Sequence, residues 1–363
     1  MLTFNAGLAP GVVPRVDERA RQIAQALAAD AAAEAAFDVA CLQEVWLERH
    51  ASLLQRALGA APVASAAVTG SAGRLLRPVW LRFTPEPVAG LHCGDAELTS
   101  LVACVANNCL RETDVAACAV GSCRSVLDGL SGGCMACLSK DLSDPVAALA
   151  GCTQPEAAPL GTPAVASPRP YLLGGSYGTA LVSRLPVLSY ELIRLESTMH
   201  PRGVIHARVS HPTLGPVDTY CAHLTPYLRG VKHPTGGSFV TEQSVQVDRL
   251  IELTKPHGSI PVVLLGDLNT GPAAPRALPP YQARLPQHYA RLLSAGLVDA
   301  TSGQSCSFCY DNPIHRRRDS GGLRIDHVLL RGAGIHPALE QRRFVAPSLS
   351  DHYAVELVLR RGP

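Results

Sequence analysis

Short apolar runs that stop abruptly at an acid, an amide or a histidine recur along this chain. Ile260-Pro261-Val262-Val263-Leu264-Leu265 is apolar throughout and leads into Gly266-Asp267-Leu268-Asn269. A run of that length, bounded by glycine, predicts a strand buried on both faces over Ile260 to Gly266. The same reading predicts strands over Leu2 to Asn5, Phe37 to Gln43, Thr179 to Ser183, Val204 to Val209, Val217 to His223, Arg324 to Leu330 and Tyr353 to Leu359. Three stretches have helical spacing instead. Asp17 to Phe37 sets Ile23 and Leu27 four apart, Trp46 to Leu58 buries a stripe of Leu47, Leu54 and Leu58, and Thr241 to Thr254 sets Val247, Leu250 and Ile251 on one face with Thr241 as N-cap. Many strands with few helices between them predict an α/β protein of two packed mixed sheets flanked by helices, and residues 1–363 read as one domain of this kind.

A different texture fills residues 84–170. His92 to Cys152 is made of small residues, glycine and cysteine, and five prolines fall at 155, 159, 163, 168 and 170. Such a segment lacks the apolar area to hold a shape unaided, so it reads as an insertion stapled by disulfides and tied back by an extended Pro-rich linker. Leu98, Leu101, Val102 and Val105 suggest short helices within it. Eight of the twelve cysteines lie between Cys93 and Cys152, enough for four bridges, and Cys306 with Cys309 offers a fifth. The C-x2-C spacing of Cys134 with Cys137 and of Cys306 with Cys309 also suits zinc, but the other spacings are irregular and favour disulfides. Cys41 and Cys221 sit inside apolar strand patterns and read as buried, reduced thiols. A disulfide framework implies an oxidising compartment, secreted or periplasmic. The N-terminal residues show no signal-peptide pattern, so the chain reads as the mature form of an exported protein or as one whose start is placed too late.

Lys+Arg 32 against Asp+Glu 30 leaves a net charge of +2, which excludes a global field drawing the protein to a polyanion. Local patches are left for that: His315-Arg316-Arg317-Arg318 with Arg324, and Arg342-Arg343. No run of roughly eighteen apolar residues marks a membrane span, and the chain reads as a soluble monomer.

The ends of the strands carry the chemistry. Period-two geometry predicts Asp267 and Asn269 on one face at a strand end, where a carboxylate and an amide can grip a hard cation or a phosphate oxygen. Leu42-Gln43-Glu44, Arg324-Ile325-Asp326-His327 and Ser350-Asp351-His352 place further acids at strand ends. Buried carboxylates are costly without a partner, so the repetition implies a shared cation or a cationic partner, with Glu44, Asp267 and Asp351 as candidate metal ligands. Arg202, ahead of the strand that starts at Val204, reads as a charge-assisted phosphate donor or as a plain turn residue.

LTFN, LQE, SYGTALVSRLPV, TYCAHL, GDLN, RIDHVLL and SDHYAVEL occur in this order. The set resembles the endonuclease/exonuclease/phosphatase superfamily, which includes pancreatic-type deoxyribonuclease, abasic-site endonucleases, bacterial sphingomyelinases and inositol polyphosphate 5-phosphatases. The resemblance covers about residues 1–83 and 171–360 and implies a four-layered α/β sandwich. It implies that Glu44, with Asn5, holds a divalent cation (Mg2+, or Mn2+ or Ca2+) and that Asp351 completes the metal environment. Asp267 and Asn269 would position the attacking water and the phosphate. His352 would be the catalytic histidine oriented by Asp326, and His223 the second histidine at the phosphate or leaving oxygen. One departure stands out: family deoxyribonucleases pair that second histidine with an acid on the strand that here reads Tyr177-Gly178-Thr179-Ala180, and none is present. Asp218, at odd spacing from His223, points to the other face.

The activity implied is hydrolysis of a phosphodiester, in a phospholipid head group or in nucleic acid. A lipid enzyme would make peripheral membrane contact through exposed apolar loops, for which Trp80 and Phe83 are the candidates; a nuclease would flank its cleft with basic residues. Two alternatives remain: a phosphomonoesterase acting on inositol phosphates, with few lysines to serve it (Lys232, Lys255), and a non-catalytic binding module.

Overall fold

Alternation along the strand Val39–Gln43 divides its side chains between two cores, Ala40 and Leu42 turning to helices on the outside and Val39 and Cys41 to a second sheet within. The structure, a computed structural model, describes residues 1–32, 37–62, 78–85, 92–112, 115–139, 145–153, 172–229, 231, 233–256, 258–273, 281–302, 305–315, 322–332 and 334–361. Seven strands among these form the first sheet, in the order Ile335–Arg343, Ala354–Arg361, Leu2–Asn5, Val39–Gln43, Ala180–Ser183, Val79–Arg82, Ala61–Pro62. Six form the second, in the order Val298–Asp299, Asp326–Arg331, Val262–Asp267, Gly215–His223, Arg202–His211, Val187–Leu195. Both are mixed: Leu2–Asn5 runs parallel to Val39–Gln43, Ala61–Pro62 to Val79–Arg82, and Gly215–His223 to Val262–Asp267, and the other pairs are antiparallel.

Helices Val16–Ala32 and Glu48–Ala57 cover the outer face of the first sheet with Ile23, Leu27 and Leu54, and Phe239–Leu253 and Pro286–Ser294 cover the second with Val247, Leu250 and Leu292. The result is the expected helix–sheet–sheet–helix sandwich. Two details differ. Ser238, not Thr241, is the N-cap of Phe239–Leu253; its hydroxyl accepts the Thr241 amide, which puts Thr241 inside the first turn. Trp80 and Phe83 are not exposed: Trp80 is 4% exposed within the outer core of the first sheet, and Phe83 stacks on Tyr177 with ring centroids 4.1 Å apart. Both lie on or next to Val79–Arg82, a strand paired into the sheet, so neither reaches a loop surface.

Four bridges lie inside the Cys-rich segment, Cys93–Cys134, Cys104–Cys123, Cys109–Cys118 and Cys137–Cys152, holding helices Asp95–Asn108, Val115–Ser122, Gly132–Leu138 and Pro145–Gly151. Leu101, Ala136 and Leu138 make a small core with four of these cysteines. Cys306 and Cys309 are also bridged. Cys41 and Cys221, expected as free thiols, form a sixth bridge. Their strands belong to opposite sheets, both side chains point into the inter-sheet core, and the Cα atoms are 5.4 Å apart. No cysteine remains free.

Arg324, expected on a basic surface patch, is buried and paired with Asp299 at 2.9 Å. Arg343 is bound to Asp30 and Glu356, and Arg342 lies over the Tyr353 ring. Arg316–Arg318, Lys232 and the five prolines from 155 to 170 fall outside the described residues. No described helix is long and apolar enough to cross a membrane.

Candidate active site

Strand register brings three of the expected residues into one row. Asp267, the last residue of its strand, is paired with His223 on one neighbour and with Asp326 on the other. Paired residues share a face, and here it is the face carrying Cys221, Leu265 and Val328 into the inter-sheet core, so all three side chains meet where that core ends. Asn5 reaches the same place from the first sheet. Its Nδ2 donates to Asp267 Oδ2 at 2.9 Å and lies 3.3 Å from Glu44 Oε1. Glu44 follows directly on Val39–Gln43 with φ +57, a reversal that ends the strand and leaves the carboxylate at the rim.

Asp351 and His352 come from the segment ahead of Ala354–Arg361. His352 Nδ1 is 2.8 Å from Asp326 Oδ2, which leaves Nε2 as the nitrogen that can take a proton. Gly7 turns over Asp351 so closely that a Cβ there would sit 2.3 Å from Asp351 Oδ1. Asn269 stands with φ +50 beyond the strand end, so strand alternation does not govern it as expected. Its amide donates to Asp267 Oδ1 at 2.9 Å, and its side chain donates to the Leu224 carbonyl.

The site is strongly acidic. Burial and the charge of Asp351 hold Glu44 above the usual carboxylate range, and burial together with Asp326 pushes Asp267 up to about 7. Burial acts against the His352 cation, yet the hydrogen bond and charge of Asp326, with Asp267 and Asp351, outweigh it and lift His352 to about 10. Asp326 Oδ1 is buried with no hydrogen-bond partner. Ligand atoms of Asp267, Asp326 and His352 lie within 4.8 Å of one another. Carboxylates crowded and buried in this way, one oxygen still unsatisfied, suit a hard divalent cation.

Arg202 opens the strand Arg202–His211 rather than forming a turn, and it is buried. Its Nη1 is 2.6 Å from His223 Nδ1, and its guanidinium lies over the Trp46 ring, 5.5 Å from the centroid. Burial and the charge of Arg202 keep His223 well below the ordinary imidazole range, and His223 Nε2 is 3.6 Å from Asp267 Oδ2. Asp218 does face away: it is bound by His206 and Arg208.

Three supporting residues were missed in the sequence. The buried Arg19 guanidinium donates to the carbonyls of Ala6, Gly7, Pro14 and Leu349, tying the turn beside Asn5 to the chain ahead of Asp351. Its place on one stripe with Ile23 and Leu27 was the available signal. Gln243 Nε2 donates to the Thr225 and Asn269 carbonyls, joining the loops that follow His223 and Asp267. Ser307 Oγ accepts the amides of Ile325 and Asp326.

A comparison with curated proteins returned no significant match. Among solved structures, an endonuclease/exonuclease/phosphatase from Beutenbergia cavernae is 18% identical with TM-score 0.51, the match covering 99% of this chain and 71% of that one. Sphingomyelinase C from Streptomyces griseocarneus is 17% identical with TM-score 0.50, covering 99% and 98%. D. rerio TDP2 complexed with a single-strand DNA product is 13% identical with TM-score 0.52, covering 99% and 97%. These similarities establish the shared fold. The model of the endonuclease/exonuclease/phosphatase family matches residues 2–352, nearly the whole chain, and with the sandwich described above it makes this protein a member of that family.

Proposed function

We propose that this protein is a divalent-cation-dependent phosphodiesterase whose substrate is a phospholipid head group. The observation that carries the reading is the meeting of Glu44, Asp267, Asp326 and Asp351 with His352 and His223 where the two sheets end. Family members hydrolyse phosphoesters, and a non-catalytic binding module has no use for so complete a set. Glu44, Asn5 and Asp351 would hold the cation. Bound there, it would offset the carboxylates and stabilise charge developing on the phosphoester oxygens. Asp326 orients His352; a bound cation would offset the carboxylates that hold this ring protonated, and Nε2 of the neutral ring would then take a proton from the attacking water, which Asp267 and Asn269 position with the phosphate. Arg202, through its charge, adds attraction for the anionic substrate.

The lipid side of the reading is supported by Val12, exposed on a turn that the buried apolar cluster of Ala9, Val13, Trp46, Leu173 and Ile314 holds beside the site. A solved sphingomyelinase shares the fold. Six disulfides favour an exported protein meeting lipid outside the cell. The test is to assay the purified protein against sphingomyelin vesicles, plasmid DNA and a chromogenic phosphodiester, with Mg2+ or with EDTA. Mg2+-dependent, EDTA-sensitive cleavage of sphingomyelin is expected. Cleavage of DNA alone would make the protein a nuclease, and inertness toward all three would leave the binding-module reading.

A further inference from the structure

We propose that Arg202 fixes His223 as a neutral imidazole carrying its single proton on Nε2, so that His223 donates a hydrogen bond to the phosphoester without giving up the proton. The inference rests on the phosphodiesterase reading above. A guanidinium has five N–H donors and no acceptor. With Arg202 Nη1 2.6 Å from His223 Nδ1, that nitrogen must supply the lone pair, and the ring proton is left on Nε2. Nε2 faces the acidic cluster, 3.6 Å from Asp267 Oδ2.

Arg202 is built into place. It is 3% exposed, is paired with Leu195 in the sheet, and its backbone amide donates to Ser197 Oγ at 3.1 Å. Trp46 flanks both partners, with the guanidinium 5.5 Å and the His223 ring 6.1 Å from its ring centroid. Trp46 in turn needs Gly178, where a Cβ would stand 2.5 Å from the indole. Residues Tyr177 to Ala180 offer no acid. The histidine therefore has a cationic donor at Nδ1 where an acid would have accepted a hydrogen bond from it.

In the reaction, the water oxygen bonds to phosphorus and passes a proton to His352. The bond from phosphorus to the leaving oxygen breaks with its electron pair on that oxygen, which is protonated by bulk water rather than by His223. Arg202 is then a positioning residue that acts through His223.

Two measurements test this on the full-length protein. Side-chain 15N NMR, with the His223→Gln spectrum assigning the resonances, should show His223 Nδ1 as an acceptor and Nε2 protonated. Arg202→Met should shift that balance toward Nδ1–H, and Arg202→Lys, which keeps a donor, should restore it in part. A wild-type Nδ1–H signal would overturn the proposal whether or not the protein turns over any substrate. In kinetics, His223→Gln retains a donor, so it should lose less than about tenfold and equally for p-nitrophenolate and alkanol leaving groups. A loss of about a hundredfold or more confined to the alkanol substrate is the mark of a general acid and would sink the idea. Inactivity of the wild type toward both substrates strikes instead at the phosphodiesterase reading.

Discussion

His352 Nδ1 lies 2.8 Å from Asp326 Oδ2, and Asp326 is held from behind by the Ser307 hydroxyl at its amide. The carboxylate is thus committed to one ring nitrogen. His352→Ala is expected to lower turnover by at least about a hundredfold, the scale of a lost general base, while circular dichroism stays native-like and the melting temperature falls, because Asp326 is left buried without its partner. Undiminished activity in that variant would remove the dyad from the mechanism.

Glu44 and Asp351, both half-buried, repel each other. Glu44→Gln should therefore weaken Mg2+ binding by about tenfold or more in titration calorimetry while leaving the melting temperature of the cation-free protein unchanged or raised, since it removes a like-charge contact. An unaltered Mg2+ titration would assign Glu44 a structural role only.

The strand-end acids were legible because the signal is local: an apolar run with an acid just past it can be read at Gln43-Glu44 or Gly266-Asp267 without knowing the fold. The strand Val187–Leu195 was not, because most of its length is exposed and a bulge between Val187 and Ser189 breaks its alternation. The N-cap error arose from two hydroxyls three residues apart, Ser238 and Thr241, which local chemistry cannot rank. Roles set by tertiary contact were the least legible. Arg202 looked like a turn residue until the sheet set it against His223, and Cys41 meets Cys221 across 180 residues only when two sheets face each other.

Asp218 supplies a pH test away from the site. Burial raises its pKa, but hydrogen bonds from His206 and Arg208 outweigh burial and hold it at about 2. A folded value below the unfolded one, about 3.9, stabilises the protein above that pH, and the gain is lost as pH falls toward 2. Asp218→Asn should cost about 2 kcal/mol near pH 7 in urea unfolding, a difference that shrinks below pH 4. A constant difference from pH 7 to pH 3 would show that the loss is packing and not charge.

Thiol counting decides the cysteine framework. With all six bridges formed, the protein denatured without reductant should show no free thiols. Two free thiols that vanish in the Cys41→Ala, Cys221→Ala double variant would mean that this pair is reduced after all; ten or more would overturn the framework and the oxidising compartment inferred from it. The sheet-to-sheet bridge has its own signature, because it closes a long stretch of chain and so restricts the unfolded state. Replacing both Cys41 and Cys221 with Ala should lower stability by about 3 kcal/mol. Adding reductant to both denatured proteins should abolish that gap, since entropy lost to a cross-link returns once the link is cut and the other five bridges are then open in both. A gap that survives reduction would come from the packing of two sulfurs between Val39, Leu181 and Val263, not from the bond between them.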